Sequence, residues 1–141
     1  MRAWRAYVVG KELLDFRLNR DLQEKHQLAL ADYELLARLS EAPAGQVRMS
    51  TLAEQVASSK SRISHQISRL EKAELVRREE CPSDGRGVIA VITSHGLRVL
   101  HGAAPTHVQG VRDNLVNLLS EEERTVLAEV FERVISHLRA R

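Results

Sequence analysis

The residues that most constrain this chain are 59–74, SKSRISHQISRLEKAE. At about 100° per residue, Ile63, Ile67 and Leu70 fall on one narrow stripe, the face that a helix turns toward a core. The opposite face carries Ser61, His65, Ser68 and Lys72, flanked by Arg62, Ser64 and Arg69, and no acidic residue occurs from Lys60 to Arg69. Hydroxyl, imidazole and guanidinium groups are side chains that reach phosphates and base edges. Ser59 is a good N-cap, and the N–H groups of the first turn behind it favour a phosphate. Taken alone, such a helix is more often just a solvated surface element. The sequence on either side decides between the two.

Upstream, Thr51-x-x-Glu54 matches a capping box, so a helix is expected to start at Ser50 or Thr51 and to bury Leu52, Ala53 and Val56. A short helix, a turn at Ser58 and a second helix with a polar outer face make a helix-turn-helix. Downstream, LVRREE and VIAVIT are rich in β-branched residues and are separated by the turn-forming CPSDGRG. They predict a β-hairpin, a wing whose Arg86 is placed to enter a minor groove beside the major groove that the helix occupies. Further upstream, Asp32 is the expected cap of a helix with Leu35, Leu36 and Leu39 turned inward. That helix stops near Pro43 and Gly45, and residues 46–49 read as an extended link.

The two ends of the chain are apolar in a different way. Residues 3–24 place Trp4, Tyr7, Val8, Leu14, Leu18 and Leu22 along one seam of a long helix. After the hairpin, Thr93 caps a helix that Pro105 is expected to kink or restart. It continues through Val108, Val111, Leu115, Val116 and Leu119. Ser120-x-x-Glu123 is a second capping box, opening a helix with Val126, Leu127, Val130, Phe131, Val134 and Leu138 on one side. This is more apolar surface than a small winged unit can cover, so 3–24 and 105–140 are expected to bury it between two copies. The expected fold is mainly α with a small hairpin wing: one domain over 1–141, its winged helix-turn-helix in 31–93.

A chain of 141 residues is enough for one such domain. The net charge of +2 is weak support for a nucleic-acid partner, but its distribution matters more: residues 48–69 hold four basic residues and one acid, Glu54. No stretch is apolar enough to span a membrane and no signal peptide is evident, so a cytoplasmic protein is expected. The single cysteine, Cys81, excludes an intramolecular disulfide and a cysteine-based zinc site. No two of the six histidines are three or four residues apart, and no phosphate loop or nucleophile elbow occurs. Neither an enzyme nor a bound metal or cofactor is expected. A protein-interaction module would need apolar or aromatic residues on the outer face of 59–74, where serines and cations stand instead.

The run from LAEQV through SKSRISHQISRLEKAELVRR to CPSDGRG and VITSHGLRVL resembles the MarR family of bacterial transcriptional regulators, winged helix-turn-helix homodimers. Asp84-Gly85-Arg86-Gly87 is similar to the family's Asp-x-Arg wing tip. The resemblance implies that Ser61, Arg62, Ser64 and His65, with Ser68 on the same face, lie over major-groove bases. Arg86 would enter the minor groove with Asp84 orienting it, and Arg48, Lys60 and Arg69 would contact phosphates. It implies a homodimer on a palindromic operator in double-stranded DNA, acting as a repressor and released by a small aromatic or lipophilic anionic effector. Trp4, Tyr7, Lys11, Tyr33 and Arg38 would supply the effector's aromatic wall and cationic anchor. Two departures stand out. Glu74 occupies a position where the family usually has glycine and the backbone prefers a left-handed conformation. Peroxide-sensing members carry a reactive cysteine in the first helix, whereas here Cys81 at the base of the wing is the one thiol a redox alternative would use.

Overall fold

In a computed structural model the structure describes residues 1–81 and 87–140, so the expected wing-tip contacts at Asp84 and Arg86 lie outside the described residues. Among the described residues, six α-helices and three strands follow in the order α1 (Arg2–His26), α2 (Leu30–Glu41), β1 (Gln46–Arg48), α3 (Met49–Gln55), α4 (Lys60–Lys72), β2 (Val76–Glu80), β3 (Val88–Ile92), α5 (Ser94–Asn114) and α6 (Glu121–Arg139).

Helices α2, α3 and α4 pack as a helical layer whose core is aliphatic, with Leu36, Leu39, Leu52, Ile63, Ile67 and Val76 fully buried. Each such side chain contributes roughly 1.5–3 kcal/mol by leaving water. The stripe of Ile63, Ile67 and Leu70 therefore fixes which way α4 faces. Ser59 caps α4 as expected, its Oγ accepting from the Arg62 amide at 3.1 Å.

The sheet holds three antiparallel strands in the order β1-β3-β2. The expected link at 46–49 is thus a strand over 46–48, with Gln46 opposite Val91 and Arg48 opposite Ile89. Three residues carry too little pattern to announce a strand; β3 supplies the hydrogen bonds. The next helix also begins earlier than the capping box suggests. Helix α3 starts at Met49, directly off β1, with Arg48 as N-cap and no side-chain cap hydrogen bond.

Asp32 does not cap α2. Ala29 is the N-cap, and the Leu30 amide is satisfied by Asn19 Oδ1 of α1 at 2.9 Å, a donor–acceptor pair between helices. Pro105 neither ends nor restarts α5, which runs unbroken over its 21 residues. Pro105 and His101 are both exposed, so water can take the carbonyl that proline leaves without a partner. Buried Leu100, Ala103 and Gly110 hold the helix in place on either side. Gly110 meets Leu18 of α1, where an added Cβ would approach Leu18 Cδ2 to 2.8 Å.

Helix α6 opens with the complete capping box of Ser120 and Glu123 and buries no residue in the protomer. Leu118, Val126, Val134 and Leu138 are exposed, as are Trp4, Leu13 and Phe16 on α1.

Candidate nucleic-acid interface

The outward face of α4 presents Ser61, Arg62, Ser64, His65 and Arg69 to solvent, with Ser68 half-buried. Two neighbours hold this face from opposite sides. On the α2 side, Gln66 Nε2 donates to the Ala31 carbonyl at 3.0 Å and to Asp32 Oδ1 at 3.1 Å. Arg69 Nη2 donates to the same Asp32 oxygen at 2.9 Å. Asp32, expected as a cap, is instead the acceptor that fastens α4 to α2. Arg69, expected at a phosphate, carries this carboxylate beside it.

On the sheet side, Arg78 of β2 reaches across to α4. Its Nη2 lies 2.8 Å from the Ser64 carbonyl oxygen, 3.2 Å from Ser64 Oγ and 3.0 Å from Ser68 Oγ. Glu71 stands 4.0 Å from Nη1 of the same guanidinium. Sequence reading missed Arg78, although strand alternation carried the signal. Val76 is buried toward the helices, so the residue two further on shares its face, whereas Arg77 turns away and pairs with Glu79 at 2.8 Å.

Between α4 and the hairpin lies a groove of about 500 Å³ lined by Arg48, Ser50, Lys60, Ser64, Arg78 and Gly87 among others. Three cations around one open groove form an anion-attracting channel. Gly87 packs against the Arg48 guanidinium, which would have to shift to admit a Cβ there.

The five residues expected at an effector are not gathered on one surface of the protomer. Trp4 and Tyr7 are in ring contact at 5.9 Å, Tyr7 meets Phe131 of α6 at 5.4 Å, and Lys11 is paired with Asp15. Tyr33 is buried in the core, its ring 4.4 Å from that of His107 on α5. Burial raises the Tyr33 pKa above 10.0. It also lowers that of His107 below 6.5, against an opposing pull from Glu34, and leaves His107 Nδ1 buried with no hydrogen-bond partner. Arg38 lines a separate groove with Glu34 and Gln55. Cys81 is buried with Ile89 and Val91, which withholds the access that a sensing thiol needs.

Among the described residues no cluster of His, Cys, Asp or Glu could hold a metal ion, and no helix is long and apolar enough to cross a membrane.

Residues 28–88 match the sequence pattern of the MarR family. The chain is 45% identical to AbsC, a MarR family transcriptional regulator from Streptomyces coelicolor, over 99% of this chain and 93% of that one, with a TM-score of 0.92. It is 40% identical to Sco3205 of the same organism, a MarR family regulator solved in complex with DNA, over 96% and 88% of the two chains, with a TM-score of 0.92. It is also 28% identical to the HTH-type transcriptional regulator MhqR of Bacillus subtilis (strain 168), covering 78% of this chain and 74% of the relative.

Proposed function

The chain belongs to the MarR family of transcriptional regulators and is a DNA-binding regulator, and we propose that it works as a homodimer laying one α4 helix in each of two successive major grooves. The observation that carries this reading is the outer face of α4: exposed, free of acids from Lys60 to Arg69, and preceded by a capped N-terminus. Ser61, Arg62, Ser64 and His65 stand where base edges would be read. Phosphate contacts fix register without reading sequence, and Arg48 and Lys60, on the groove beside α4, are suited to that work. With α4 in a major groove and the hairpin over the adjacent minor groove, the backbone strand between them follows this channel. The likeness of Asp84-Gly85-Arg86-Gly87 to the family's wing tip is the ground for assigning Arg86 to that minor groove and Asp84 to orienting it.

The exposed apolar faces of α1 and α6 supply the interface between two copies. Two-fold symmetry sets the recognition helices about 34 Å apart on an imperfect palindrome. Binding at a promoter blocks polymerase, so the protein acts as a repressor in the cytoplasm. A small aromatic or lipophilic anion that prefers another spacing of the two helices releases the DNA, and its effect cannot exceed its preference for that state. Trp4, Tyr7 and Lys11, on the dimer helix α1, are the residues of this protomer that suit such a ligand.

Hydroxyl-radical footprinting on DNA upstream of the chain's own gene tests the arrangement. Two protected segments about one helical turn apart are expected; protection of a single half-site contradicts the dimer reading.

A further inference from the structure

The reading face of α4 is held by an arginine that belongs to the wing. Arg78 Nη2 lies within 2.8–3.2 Å of three oxygens of α4, namely the carbonyl and hydroxyl of Ser64 and the hydroxyl of Ser68. Those residues are four apart and so neighbours on one face of the helix, where both meet the same nitrogen of the guanidinium. We propose that Arg78 is a positioning residue for sequence recognition, locking strand β2 to α4 so that the base-reading side chains of α4 are held in one orientation. This rests on the reading of α4 as the DNA-reading helix.

The hydrogen-bond inventory supports a positioning role over a direct contact. Ser68 Oγ donates its only proton to the Ser64 carbonyl at 2.9 Å and accepts from Arg78. A hydroxyl so used has no proton left for a base. Ser68, on the polar face of α4, thus belongs to the clamp. Ser64 differs: Arg78 takes one lone pair of its hydroxyl, and its proton stays available to an acceptor on the DNA. All three contacts go to one nitrogen, Nη2, whose two N–H groups are shared among them, while Nη1 stands 4.0 Å from Glu71; a lysine ammonium, on a shorter stem and with no second nitrogen, does not reproduce this two-sided hold. Clamped by Asp32 on its other side, α4 cannot roll without breaking one set of bonds or the other.

The test uses the full-length protein and the duplex that the wild type enriches from a randomised library, with a scrambled duplex as control. Affinities for both are measured at several salt concentrations for the wild type, Arg78→Lys, Arg78→Met, Ser68→Ala and Arg78→Lys/Ser68→Ala, with circular dichroism confirming that each is folded. If Arg78 positions α4, Arg78→Lys reduces discrimination between the duplexes by roughly tenfold, the scale of one good bidentate base contact, and leaves the salt slope unchanged. Ser68→Ala, which alters no charge and leaves the core intact, shows part of the same loss, and the double variant is no worse than Arg78→Lys alone, because both remove one unit. Arg78→Lys at wild-type discrimination, with Arg78→Met weakening both duplexes alike and lowering the salt slope by about one, would make Arg78 a phosphate contact and overturn the proposal. Additive losses from Arg78→Lys and Ser68→Ala would overturn it as well. A wild type that enriches no sequence contradicts the DNA reading itself and the proposal with it, a result distinct from variants that leave discrimination untouched.

Discussion

The Asp32 carboxylate accepts a hydrogen bond from the Arg69 guanidinium at 2.9 Å, joining α2 to α4 at the edge of the polar outward face of α4. Asp32 is mostly buried, its side chain 15% exposed, whereas Arg69 is 63% exposed. Asp32→Asn removes the charge and keeps an acceptor for Gln66. Stability should fall by no more than about 1 kcal/mol, the range of such partly exposed pairs, which is roughly 3 °C in Tm. Affinity for scrambled DNA should rise several-fold, because one acid leaves the reading face and Arg69 gains freedom to meet phosphates. Calorimetry and anisotropy read the two effects; scrambled-DNA affinity that does not change would place Arg69 outside the DNA footprint.

Glu74 has a φ of 61°, so the departure from the usual glycine leaves the helix end as it is and strains the residue instead. The helix closes through Ala73, with the Leu75 amide donating to the Leu70 carbonyl at 2.9 Å and Thr93 Oγ1 donating to the Glu74 carbonyl at 2.7 Å. None of these bonds uses the Glu74 side chain. Glu74→Gly should therefore stabilise the fold, by up to about 1 kcal/mol after the greater chain entropy of glycine is counted. Denaturant midpoints check the sign.

His107 predicts the pH response of the core. Its pKa is lowered below 6.5 by burial, so the unfolded chain takes up the proton first. Its contribution to stability is then complete above about pH 6.5 and declines as the pH falls from there through the folded-state pKa. His107→Phe keeps a ring against Tyr33 and removes the buried Nδ1 that has no partner. The variant should lose less stability than the wild type between pH 7 and pH 5; equal losses would place the titrating group elsewhere.

Much of this architecture is legible in the sequence because its signals are local. Ser59, the stripe Ile63, Ile67 and Leu70, and the Ser120–Glu123 box each act within one helix, where periodicity and caps can be read directly. The misses depend on partners far away in the chain. Strand β1 exists because β3 pairs with it, the first amide of α2 is satisfied by Asn19 from another helix, and α5 passes through Pro105 because packing on both sides holds it. The two clamps on α4 share this character: Asp32 and Arg78 lie 34 to 37 and 10 to 14 residues from their partners. An acid beside a helix start looks like a cap until the neighbour that claims it is known.

The exposed apolar residues of α6 predict an obligate assembly. Val134 and Leu138 are 42% and 63% exposed in the protomer, and neither packs into its core. Val134→Glu with Leu138→Glu should convert the proposed homodimer to a monomer in sedimentation and reduce DNA affinity by orders of magnitude, since one half-site loses the help of the other. A variant that stays dimeric would move the interface off this face.

The most direct test of the central claim is an anisotropy titration comparing the wild-type-enriched duplex with a scrambled one, for the wild type, Arg62→Ala and His65→Ala at two salt concentrations. If the outer face of α4 reads DNA, the wild type prefers its duplex strongly and each substitution reduces that preference, by roughly 1–3 kcal/mol where a bidentate base contact is lost. If the wild type binds both duplexes alike, or the substitutions leave the preference intact, the exposed residues of α4 do not read sequence and the account fails at its centre.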